Sequence, residues 1–85
     1  MQKYRFPLYR RSSNGLNWYR IDSESELTEV QALGRRHVVH HLRAHAYPER
    51  LRIHGLITLE DGHVEECGAA EVEELLAKYG GGGGR

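Results

Sequence analysis

The chain has 85 residues, enough for one domain with a thin core, because a domain of this size buries only about 60% of the surface that its unfolded chain exposes. Twelve basic side chains balance twelve acidic ones, which excludes a domain that is basic overall and favours self-association near neutral pH. The single cysteine, Cys67, excludes an intramolecular disulfide, and neither a signal peptide nor a bilayer-length apolar run is present, so a soluble cytoplasmic protein without membrane contact is expected.

Tyr4 to Arg10 and Leu16 to Asp22 are rich in aromatics and flank Ser12, Ser13, Asn14 and Gly15, whose Asn-Gly pair suits a turn with positive φ. They read as a hairpin. Ser23 with Glu26 three residues on reads as a capping box that opens a helix, with Leu27, Val30 and Leu33 as its apolar stripe and Gly34 as its stop. Arg35 to Ala46 reads as a strand, with Val38, His40, Leu42, Ala44 and Ala46 inward; as a helix it would instead gather Val38, Val39, Leu42 and Ala46 on one side. The flanking Gly34 and Tyr47-Pro48 favour the strand.

Leu51 to Leu59 and His63 to Glu66 read as a second hairpin about Asp61-Gly62, followed by a helix over Ala69 to Tyr79 with Val72, Leu75, Leu76 and Tyr79 on one stripe. The two helical stretches match at a spacing of 45 residues, Leu27 with Val72 and Val30 with Leu75 among them, which suggests a repeated hairpin-plus-helix unit. The expected fold is α+β: an antiparallel sheet in the order ββαβββα with two helices on one face. It forms a single domain over residues 1–79, and 80–85 form a flexible Gly-rich tail.

The zero net charge hides a segregation, with segment totals of +5 over 1–20, −4 over 21–34, +4 over 35–54 and −5 over 55–85. Strand alternation sharpens it, because side chains point in turn to two faces. One face collects Tyr4, Phe6, Leu8, Tyr19, Ile21, Val38, Leu42, Ala44, Leu51, Ile53, Ile57 and Val64. The other collects Lys3, Arg5, Tyr9, Arg11, Trp18, Arg20, His37, His41, Arg43, His45, Tyr47, Arg50, Arg52 and His54. A sheet left open on such a face is the layout of single-stranded nucleic-acid binders, with Tyr9, Trp18 and Tyr47 as stacking platforms and Arg5, Arg11, Arg20, Arg43, Arg50 and Arg52 as phosphate contacts. Ten arginines against two lysines suit bidentate recognition of anions. The same residues equally suit a protein partner.

His37, His41 and His45 would share one side of a helix, but on a strand successive members stand roughly 13 Å apart, so no metal site is expected among them; a histidine-based metal or pH sensor is the third function class, behind an interaction module and a nucleic-acid binder, with His40 in the core. Cys67 precedes a helix next to Glu65 and Glu66 and reads as a small buried residue. Glu24, Glu26, Glu29, Glu71, Glu73 and Glu74 read as a solvated acidic face in first helical turns. No nucleophile-and-base spacing or phosphate loop occurs, so neither enzymatic activity nor a cofactor is expected.

The runs Tyr4 to Arg10, Trp18 to Ile21, Glu29 to Gly34 and Ala46 to Glu49 resemble those of a family of short, uncharacterised bacterial proteins of unknown function, over residues 3–79. The resemblance implies a small stand-alone protein and supplies no functional residues. Two function classes fit the residues: an interaction module that forms a homodimer or binds a protein partner, and a binder of single-stranded RNA or DNA on the basic face.

Overall fold

The computed structural model describes residues 4–60 and 62–80. Four strands run in succession, β1 (Leu8–Ser12), β2 (Asn17–Ser23), β3 (Glu26–Leu33) and β4 (Arg36–Arg43). Helix α1 (Tyr47–Thr58), the short strand β5 (Val64–Glu66) and helix α2 (Ala69–Leu75) follow, and α2 continues into a π-helical turn, Leu76–Gly80. The sheet is antiparallel, in the order β4-β3-β2-β1-β5.

The first hairpin forms about the expected Asn14-Gly15 turn, but its first strand begins at Leu8 and not at Tyr4, and takes in Arg11 and Ser12. Gly15 has φ +77°, and the Ser12 hydroxyl donates to Asn14 Oδ1 while accepting the amides of Leu16 and Asn17. The expected helix at Ser23 is instead strand β3. Its capping-box residue Glu26 reaches sideways to β4, accepting from Arg43 Nη2 at 3.0 Å and meeting His41 Nε2 at 3.1 Å. Gly34 does not stop a helix; it takes φ +64° as the first residue of the two-residue turn into β4, the position that a type II′ hairpin reserves for glycine. The apolar stripe read for a helix is split: Leu27 and Val30 are buried and Leu33 is exposed.

The expected strand over 51–59 is also corrected, since Leu51 to Thr58 belong to α1. Pro48 sits in its first turn, where its missing N–H is no loss, and the Glu49 carboxylate accepts from the amides of His45 and Ala46. Ile53, Leu56 and Ile57, at helical spacing, are buried, whereas Leu51, read as inward, lies exposed. The expected Asp61-Gly62 turn includes a residue outside the described ones, and β5 pairs with β1, Arg10 opposite Glu66. With β3 a strand, the hairpin-plus-helix repeat does not form. The helix over 69–79 does, as α2 and its π turn.

The helices lie on opposite faces of the sheet, not on one. Arg10 reaches α1 and its neighbour Arg11 reaches α2, and adjacent strand residues point to opposite sides. The α1 face holds the main core: Tyr19, Ile21, Leu27, Ala44, Ile53, Leu56 and Ile57. The α2 face is smaller and more polar. Val30, which shares that side with its register partner Trp18, is fully buried there, as is Val72 of α2.

Arg10 ties α1 to the sheet. Only 5% exposed, it donates from Nε to the Leu56 carbonyl and from Nη2 to that of Ile57, each at 3.0 Å, and from Nη1 to its neighbour Tyr9. The acceptors are among the last four carbonyls of α1, which have no partner within the helix and carry its negative dipole end. Arg10→Met is therefore expected to destabilise the protein by about 2–4 kcal/mol in urea unfolding, because buried carbonyls lose their donors. Arg10→Lys should recover only part of that loss, since an ammonium lacks the guanidinium fork.

Candidate functional site

The nine residues expected to form a binding face separate into two main groups. Tyr9, Arg11, Trp18 and Arg20 lie together on one face of β1 and β2, where α2 covers them. Tyr47, Arg50 and Arg52 lie exposed on α1, Arg43 is exposed at the end of the edge strand β4, and Arg5 is exposed before β1.

The covered group is bound by the acidic residues of α2. Glu71 accepts from Trp18 Nε1 at 2.9 Å and from Arg11 Nη1 at 2.9 and 3.0 Å. Glu73 accepts from the Tyr9 hydroxyl at 2.6 Å and from Arg20 Nη1 at 3.2 Å. Arg11 also meets Glu65 of β5, and Arg20 meets Asp22 within its own strand. The side chains suited to stacking and phosphate contact on β1 and β2 thus already hold carboxylates, and α2 covers that part of the sheet face expected to be open. Glu71 and Glu73, expected to be solvated, are the residues that close it.

The electrostatics follow. The Trp18 and Arg11 donors hold the Glu71 carboxyl below the usual range, and the Tyr9 hydroxyl, then Arg20, does the same to Glu73. Tyr9 is pushed up by its bond to Glu73 and by burial. Burial and then Glu71 push the Cys67 thiol up, which disfavours the reactive thiolate. At the end of the π turn, Tyr79 stacks on His37 with ring centres 4.1 Å apart and planes within 10°. Among the described residues, no three or more histidine, cysteine or acidic side chains gather where they could hold a metal ion, and His40, expected in the core, is exposed.

The exposed group is the better candidate surface. Tyr47 and Leu51, one helical turn apart, are 73% and 53% exposed. They border a groove of about 310 Å³ with Glu24, Arg50, His54 and Ile57. Glu24, Leu51 and His54 were not among the expected site residues. The signal for Leu51 and His54 is the helical spacing of 47, 50, 51 and 54, visible only once Pro48 is taken as opening a helix; Glu24, in the turn between β2 and β3, has none. Arg52 lines a second groove with Leu27, Glu29, His40 and Leu42. No described helix is long and apolar enough to cross a membrane.

No protein-family model, curated protein or solved structure matches the chain.

The α2 contacts make a test by pH. A carboxylate whose folded pKa is depressed contributes stability that is fully present above its unfolded value, about 4.3 for glutamate, and lost as pH falls through the folded value. The urea midpoint should therefore drop progressively below about pH 4.3, with red-shifted emission from Trp18, the sole tryptophan, as α2 leaves it. The double variant Glu71→Gln/Glu73→Gln should be less stable at pH 7 and show a flatter acid dependence. The slope that remains should include Glu26, held low by Arg43 and then His41.

Proposed function

We propose that the protein is a non-enzymatic interaction module that self-associates through the exposed face of α1. The observation that carries this reading is the pair Tyr47 and Leu51, a large aromatic and an aliphatic side chain left in water side by side on a helix whose other face is fully used in the core. Exposed apolar side chains that adjoin a groove and are rimmed by polar groups mark an interaction surface, and tyrosine and arginine are the residues that most often anchor one.

A second copy is the occupant that the charges favour. Glu24 and Arg50 line the same groove, and neither forms an ion pair with a described residue. In a two-fold interface every contact occurs twice, so a pairing of Glu24 with Arg50 of the mate counts double. Zero net charge removes the long-range repulsion between copies. Chemistry on the sheet itself is disfavoured, because the ionised side chains of the α2 face are tied to one another.

Light scattering across a concentration series near pH 7 is expected to show a dimer. Leu51→Glu should raise its dissociation constant roughly thirtyfold or more, which corresponds to about 2 kcal/mol at a central interface position. Arg50→Glu should weaken the dimer, and Glu24→Arg in the same chain should restore it. A strict monomer at high micromolar concentration overturns the reading.

A further inference from the structure

We propose that the outer edge of β4 is a docking site for an extended, acidic segment of a partner protein, which adds to the sheet as its sixth strand. This surface is separate from the exposed face of α1.

The sheet has two edges, and they differ. β5 offers three residues, whereas β4 offers eight, paired with β3 in unbroken register from Arg36 to Arg43. The bond from the Ala44 amide to the Ser25 carbonyl sets the phase of that pairing. Even-numbered residues of β4 turn their backbone groups toward β3, and His37, Val39, His41 and Arg43 turn theirs outward. Among the described residues, no strand lies beyond them. The edge contains neither proline nor a bulge, two of the devices that blunt strand edges. The π turn rests on the α2-side side chains, Tyr79 on His37 and Gly80 beside Val39, and so stiffens the strand from one face.

Charge selects the occupant. From Gly34 to Ala46 the sequence holds Arg35, Arg36, Arg43 and four histidines and no acidic residue. Of the three arginines only Arg43 has an ion-pair partner among the described residues, Glu26. Two such edges brought together from two copies would hold arginines and no carboxylate, so no opposite-charge pair could form across them and pairing of β4 with β4 is disfavoured. β5 is too short to cover the edge. An extended segment with alternating carboxylates meets both requirements: its main chain satisfies the outward amides and carbonyls, and its acidic side chains, all on one face, lie beside Arg36 on one side of the sheet or Arg43 on the other.

The test uses the whole chain and two capped heptapeptides, one of alternating valine and glutamate and one of alternating valine and lysine. The acidic peptide is expected to bind and to slow hydrogen exchange at the amides of His37, Val39, His41 and Arg43, with the basic peptide at least about tenfold weaker. Arg36→Glu with Arg43→Glu should reverse that preference. Val39→Pro removes an outward N–H and leaves the β3 pairing intact, so it should weaken the acidic peptide about tenfold. Equal binding of both peptides, or no protection at millimolar acidic peptide, overturns the proposal. So does protection of these amides by increasing protein concentration alone, which would identify a second copy as the occupant.

Discussion

One buried arginine without a carboxylate decides how this molecule is layered. A guanidinium inside a protein needs acceptors for its donors, and Arg10 finds them in main-chain carbonyls at the C-terminal end of α1. The pairing answers two needs at once, since those carbonyls lack helical partners of their own. It also fixes the end of α1 over β1, and with it the docking of Ile53, Leu56 and Ile57 on Tyr19, Ile21 and Leu27. Because Arg10 points to α1, Tyr9 and Arg11 must point to the other side, and the polar face that α2 covers is a consequence of the same alternation.

The two helices are therefore held by different physics. α1 is bound by apolar burial and a desolvated charge, which salt screens little. Beyond the buried Val72 and the ring stack at its end, α2 is bound by carboxylates whose partners remain partly open to water. Such contacts are individually weak, and their strength here comes from sharing: Glu71 serves two donors and Glu73 two more. A sheet with a helix on each face gives 85 residues a firmer core than a single layer would, and it leaves the outer side of α1 and the β4 end of the sheet open to others.

Local signals were legible, and the failures came where one residue type serves two structures. Asn14-Gly15 named its hairpin because few other residues accept that turn. The stripe that includes Val72 named α2. Ser23 and Glu26, however, have the spacing of a helix cap, and what makes them part of a strand is the presence of Arg43 and His41 on a neighbour some fifteen residues away. Pro48 was read as ending a strand when it opens a helix, and the β-branched Ile53, Ile57 and Thr58 with Gly55 disguised the rest of α1. The closed basic face had a trace in the sequence after all: +5 over 1–20 and −5 over 55–85 are the two charges that Arg11, Arg20, Glu71 and Glu73 bring together. A sum by segment shows that complement exists, but only the fold shows where it is used.

The order of the strands sets a timetable for a chain made from its N-terminus. β1 to β4 form a meander in which each strand pairs with the next, so these pairings need no distant residue. β1 is different on its outer side, where its partner is β5 and Arg10 stands opposite Glu66. Until residues 56 and 57 leave the ribosome Arg10 has no helix end to bind, and until 64–66 do β1 is an unprotected edge. The first strand of the sheet is thus among the last to be completed, and it is during synthesis, more than in the finished fold, that β1 needs shelter from other unpaired strands.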